Sequence, residues 1–433
     1  MPHGDASRVI PTTRALSLLV LAALVVGGCL SATTTPEAPG LPTVTLEPIG
    51  TPIVQDHDHF NASEHTASAN LRFVAWNPLL PEELGTEGFA GMRIVDHYAY
   101  VGTDGAHAGF VIVDLRNITN PTVVSQYVTP GGASQEAVPT WDGKWVFLNL
   151  QRQPSATALA GQPDRGTGTG IQIINVEDKA NPRFESFFPV EVIGTHVMYY
   201  YEMGGKPYLI FNGQPLRQGV PGINQVYTPP PGNVVKIAEF VEVNGVHTLR
   251  LVSEYRYTGG VSALTSQGCF PHDMWVEEHP VTKQQVMYVS HWDCGLVTVD
   301  VTDPAMPRTL GVYDDMAPST RNRIHFARPD PVEREGRIIA YSGPEIDESP
   351  GEPGYIRAYD ITDPAAPNQI AAWRLPGEVE NTGHPFLFTP HNFDFPCSRI
   401  PNGQGLPAPE SPACNGDRMA IAHYHAGVWV LNI

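Results

Sequence analysis

The chain has 433 residues, 42% of them hydrophobic, enough to bury either one large core or two ordinary ones. Its formal charge is −19 and only five of its 26 basic residues are lysine, which argues against binding nucleic-acid phosphates. The 42 prolines and 41 glycines are spread along the whole chain, a distribution that suits many short strands and turns and not a disordered tail.

At the N-terminus Arg8 and Arg14 precede the apolar run "ALSLLVLAALVVGGC". Its charged start, short greasy centre and small-residue end are those of an export signal, and it is too short to span a membrane comfortably. The ending "VGGC" resembles the lipobox of prokaryotic lipoproteins, which implies that Cys29 becomes the lipidated first residue of the mature chain. An ordinary signal peptide is the alternative. Residues 1–28 are therefore read as a signal peptide with lipobox, 29–55 as a Thr/Pro-rich tether, and 56–433 as the folded body. The expected location is extracytoplasmic, anchored by lipid to the cell membrane or envelope. The cluster "HDHFNASEH" at His57 reads as an exposed lead-in to that body.

Internal repeats decide the architecture. "FVIVDLRNITNP" from Phe110, "IQIINVEDKANP" from Ile171, "LVTVDVTDPAMP" from Leu296 and "IRAYDITDPAAP" from Ile356 align in one register, and "VWVLNI" from Val428 starts a fifth copy. Alternating apolar residues predict a strand. Asp or Asn at the fifth position predicts a turn in which the side chain bonds its own backbone, and the proline at the twelfth opens the next strand. These residues resemble the LVIVD repeat, found in secreted or surface proteins similar to β-propellers, and "FVIVD" is the closest match. The resemblance implies an all-β propeller and says little about activity.

Inner strands are predicted to start near Met92, Glu136, His196, His272, His325 and His391, with a degenerate outer half at "GNVVKIAEFVEV" in the third unit. The count is six four-stranded blades, with seven as the alternative. Because the last unit lacks an outer strand, the ring is expected to close with an N-terminal one. "RFVAW", Arg72–Trp76, is the candidate, since it resembles "QIAAW", Gln369–Trp373, in an outer-strand slot.

In a propeller, the entry to the innermost strand and the turn between strands two and three share one face, here called the top. "GTHVMYY", "CFPHDMWV", "NRIHFARP" and "TPHNFDF" then place His196, His272, His325 and His391 around the mouth of the axial channel. The turns "SHWDCG", "SGPEIDES" and "AHYHAG" add His291, Asp293, Glu345, His423 and His425. Cys269 and Cys294 both fall on the top, while Cys397 and Cys414 share a loop in the last blade. These are the sequence-near pairings, although four cysteines allow three connectivities.

Neutral imidazole is the commonest ligand for copper, iron or zinc, so the predicted metal site consists of His272, His325 and His391, with His196, His425 and Glu345 in support. Asp273, Asp293 or Glu345 would take the second ring N–H of the histidines. Metal occupancy is expected to fall as pH drops through about 6.5, the ordinary histidine pKa. This reading makes the chain a metal-binding envelope protein, with metal-dependent oxidoreduction as the chemistry that fits. The alternative is a non-catalytic surface scaffold that takes a protein or small-molecule ligand on the propeller face, where the histidines only cap channel groups.

Overall fold

Repeats that alternate apolar residues and then turn on Asp or Asn should build antiparallel sheets, and they do. The computed structural model describes residues 73–80, 88–104, 107–129, 136–150, 169–190, 195–213, 217–218, 226–227, 234–257, 270–292, 294–314, 324–345, 354–374, 389–395, 418–423 and 427–433. The expected signal peptide, lipobox Cys29, tether and His57 cluster lie outside these residues. Every regular element named below is a strand, and among the described residues no helix is long and apolar enough to cross a membrane.

Six sheets follow one another along the chain. Blade one comprises β1 (Phe89–Val95), β2 (Tyr98–Thr103), β3 (Gly109–Asp114) and β4 (Thr122–Val128). Blade two comprises β5 (Ala137–Pro139), β6 (Trp145–Leu150), β7 (Gly170–Asn175) and β8 (Arg183–Pro189). In blade three β9 (Thr195–Met203) and β10 (Lys206–Gly213) are followed by a small hairpin, β11 (Arg217–Gln218) with β12 (Val226–Tyr227). The long strands β13 (Val235–Val243) and β14 (Val246–Tyr255) then complete that sheet. Blade four is β15 (Asp273–Glu278), β16 (Gln285–Ser290), β17 (Leu296–Asp300) and β18 (Arg308–Tyr313). Blade five is β19 (Ile324–Pro329), β20 (Ile339–Pro344), β21 (Ile356–Asp360) and β22 (Asn368–Trp373). Blade six shows β23 (Pro390–Asp394), β24 (Arg418–His423) and β25 (Gly427–Asn432). The architecture is a six-bladed propeller, and the seven-blade alternative falls.

Each of the four full repeat copies forms strands three and four of its blade, and the fifth forms β25. The fifth-position side chain accepts the backbone N–H two residues on in all four copies, from Asp114, Asn175, Asp300 and Asp360 to residues 116, 177, 302 and 362. A second such turn follows three residues later, where Asn117, Asp178, Asp303 and Asp363 repeat the bond. Two Asx turns in succession fix the path between the strands before any packing is considered. A β-bulge also recurs at one repeat position, after Ile112, Ile173, Thr298 and Ala358. Bulges increase local twist, which the outer edge of a propeller blade requires.

The core lies between blades. Phe110, Ile112 and Tyr127 of blade one close on Val146, Leu148 and Ile174 of blade two. One continuous cluster then runs from Ile210 and Ile237 in blade three through Val289 and Tyr359 to Phe393 and Ile421 in blade six. Each such fully buried side chain contributes about 1.5–3 kcal/mol. The face of blade one turned away from blade two packs Val101, Val111 and Val113 against Leu79 and Leu80. Asn77 ties that segment to blade one by donating to the Pro121 carbonyl at 2.9 Å.

Candidate metal centre

The four histidines start the inner strands of blades three to six, and their rings form one arc. Ring centroids are 4.7 Å apart from His196 to His272, 4.2 Å from His272 to His325, and 4.3 Å from His325 to His391. His196 Nε2 lies 3.2 Å from His272 Nε2. Glu345, just past β20 in the second-to-third turn of blade five, places Oε2 at 3.6 Å from His272 Nε2 and 3.8 Å from His325 Nε2. Donor atoms of His272, His325 and Glu345 all fall within 4.8 Å of one another.

The arc is asymmetric because the other two blades supply different residues at this level. Blade two offers Glu136, whose carboxylate pairs with Arg93 at 3.2 Å, and blade one offers the exposed Met92. Burial raises the Glu136 pKa, and Arg93 opposes it.

Backbone links hold the arc from one blade to the next. Asn149 accepts the Glu136 N–H and donates to the carbonyls of Thr195 and His196, each at 2.9 Å. Asn212 repeats this one blade on, accepting from His196 and Val197 and donating to Pro271 at 3.0 Å and His272 at 2.7 Å. From blade four to five the link is Ile324 N–H to the Trp292 carbonyl at 3.2 Å, and from five to six it is His325 Nδ1 to the His391 carbonyl at 3.2 Å. Trp292 adopts a left-handed backbone with φ of 44°, unusual for a bulky residue. Its ring lies on His272 at 4.9 Å and on Phe270 at 5.1 Å, so one strained residue braces the arc from behind.

Protonation follows from this geometry. A carbonyl only accepts, so His325 carries its hydrogen on Nδ1 and turns a bare Nε2 toward Glu345. Burial first, then the charge of His196, pushes the His325 pKa down to about 3. Burial and the His325 charge bring His391 to about 3 against the pull of Glu345. These imidazoles are neutral far below pH 6.5, so the proton competition expected at the ordinary histidine value moves to more acid pH. A nitrogen lone pair facing a carboxylate oxygen is repulsive, and a cation between them would relieve it. Donors on a tetrahedron with bonds of about 2.1 Å stand about 3.4 Å apart, which matches the 3.2 to 3.8 Å spacings here. The residues fit a borderline transition metal.

Other residues singled out by sequence sit differently. Asp273 accepts from Met274 N and lies 3.4 Å from Asn392 Nδ2, so its contacts are not with a ring histidine; burial, with Glu136 adding, lifts it to about 7. His291 is buried beside Tyr257 at 5.3 Å, and burial lowers its pKa to about 4. His423 is buried near Trp373. His425, Asp293, Cys269, Cys397 and Cys414 lie outside the described residues, while Cys294 is fully buried between β16 and β17. Sequence reasoning missed Asn149 and Asn212, although "VFLN" and "LIFN" set an asparagine at one place in consecutive blades.

Fold and site together define a six-bladed propeller with an arc of histidines at one mouth. The LVIVD repeat model matches residues 91–129, which is most of blade one, and 286–315, the outer three strands of blade four. The chain thus carries two stretches that match the LVIVD repeat within a six-bladed β-propeller. No curated protein matches it. Among solved structures it is similar to a protein from Lactobacillus plantarum at 10% identity, covering 79% of this chain and 82% of that one, with a TM-score of 0.45. Saccharomyces cerevisiae Sqt1 gives 8% identity, 80% and 74% coverage and a TM-score of 0.46. A proposed 6-phosphogluconolactonase from Bacteroides fragilis gives 11%, 81% and 92%, and 0.44. Likenesses at this level carry nothing about what this chain binds or does.

Proposed function

We propose that the chain is an extracytoplasmic, envelope-anchored propeller that binds one transition-metal ion, copper, iron or zinc, at the top of its axial channel. The observation that carries this is the convergence of His272, His325 and Glu345 donors within 4.8 Å. His196 and His391 stand beside them as further ligands, and His425 remains a candidate. Such an ion would supply Lewis acidity, or redox chemistry if it is copper or iron. Three protein donors leave coordination positions for water or substrate, whereas a full set of protein donors closes the shell. The anchor rests on the "VGGC" ending at Cys29. A Cys269–Cys294 disulfide belongs to the same reading, and what supports it is the full burial of Cys294.

Metal analysis of protein purified without a tag and offered copper, iron and zinc tests the proposal. One equivalent should be retained by the parent and by His57→Ala, and lost from His272→Ala and His391→Ala. Retention of none by the parent, or the same behaviour from all three variants, would return the histidines to a channel-capping role and leave the scaffold reading.

A further inference from the structure

The second residue of each repeat occupies one strand position in four blades: Val111, Gln172, Val297 and Arg357. Gln172 shows what this position faces, since its Oε1 accepts from Tyr127 at 3.2 Å and Thr129 at 2.9 Å on the outer strand of the preceding blade. Arg357 alone brings a charge there. It shares its face of β21 with Tyr359, whose ring lies 5.1 Å from Tyr313 of blade four. Only 9% of Arg357 is exposed, and its Nη1 is buried without a hydrogen-bond partner.

Other buried or half-buried arginines have carboxylates: Arg328 has Asp394, Arg93 has Glu136, and Arg334 has Asp330. Beside Arg357 there is instead a second cation. The guanidinium carbons of Arg357 and Arg374 lie 5.9 and 5.6 Å from the centre of the Tyr355 ring, and Arg374 Nη1 is 3.2 Å from Tyr355 Oη. Among the described residues no carboxylate pairs with either guanidinium. An unpaired buried guanidinium is strongly unfavourable, and a like charge nearby makes it more so.

We infer that Arg357, Arg374 and Tyr355 form an oxyanion site at the top of blade five, against blade four. The guanidinium fork matches a carboxylate or a phosphate, and the two forks lie 5.9 and 5.6 Å from the centre of one tyrosine ring. The site stands on residues separate from the histidine arc and does not depend on a bound metal.

Thermal melting and titration calorimetry of the purified full chain, in chloride buffer with inorganic phosphate, sulfate or acetate added, provide the test. Phosphate with sulfate, or acetate, should bind at one saturable site and raise Tm, and the responding arm identifies the class. Arg357→Gln copies the residue that blade two carries at this position, so it should fold. It should melt above the parent without the anion and below it at saturating anion, with binding lost. Arg374→Gln, on the exposed side, should weaken binding about tenfold. Absence of a saturable response in the parent to all three anions, or parent-like binding by Arg357→Gln, overturns the site and assigns Arg357 to an acid of the chain itself.

Discussion

His325 turns a bare nitrogen toward Glu345 because the carbonyl of His391, one blade on, holds its hydrogen on the other nitrogen. Ligand basicity and orientation at His325 are thus set by a backbone atom, whereas for the two histidines before it a side-chain amide holds the backbone. Asn212 receives the N–H of His196 and grips the carbonyl of His272, so one amide positions two donors without touching the ion site. Asn212→Ala should therefore weaken zinc binding by about 10–100-fold, the usual cost of losing an outer-shell partner, while the protein still melts cooperatively. Competition with a chromophoric chelator measures this, and unchanged affinity would mean that the strands hold the histidines unaided. The histidines themselves were legible because each begins an apolar run at the same place in its unit. The role of Asn212 was not, since it acts on the neighbouring blade, and the supports of Glu345 were hidden for the same reason: its distances to His272 and His325 exist only once blades four and five are packed.

Strand order was legible for a physical reason: the repeat encodes its own turn. Asp300 and Asp360 accept N–H groups within two residues, so the signal is local and survives without knowledge of the rest of the chain. The bulge after the third repeat position left no trace in the pattern, because the extra residue sits on the partner strand. The sixth blade poses the remaining problem at this scale. Its outermost described strand, β25, leaves Val428 65% and Val430 39% exposed, and Phe73 and Val74 are also exposed at 46% and 41%. An apolar edge is a liability unless something pairs with it. Leu79 and Leu80 are packed on the face of blade one that looks away from blade two, and residues 73–78 before them form no strand of their own. We therefore expect Arg72–Trp76 to pair with β25. Deleting residues 72–76 should lower the melting temperature sharply and speed amide exchange in β24 and β25. Parent-like melting and exchange would refute closure by this segment.

For the whole molecule, two properties follow, one from the N-terminus and one from the buried charges. If "VGGC" is a working lipobox, the mature protein partitions with membranes and Cys29→Ser releases it to the soluble fraction; unchanged partitioning sinks the anchor. The second property is a stability maximum near neutral pH in metal-free protein. His325 and His391 are held at about 3 and His291 at about 4, against about 6.5 in an unfolded chain. Between about pH 4.5 and 6.5 the unfolded state thus binds three protons that the folded state refuses, and stability is lost as pH falls through this window. Asp273, held at about 7, works in the opposite sense, since the folded state keeps a proton there that the unfolded state has released, and burial pushes Glu136 in the same direction. The three histidines outweigh these carboxyls, so stability should rise with pH across the window. Above about 6.5 the histidines fall silent and Asp273 makes stability decline until it ionises. Asp273→Asn removes an opposing group, so the acid limb should steepen and the decline above neutrality should shrink. Urea unfolding from pH 4.5 to 8.5 reads both limbs, and a flat profile in the parent would mean that these side chains are hydrated in solution and titrate at ordinary values.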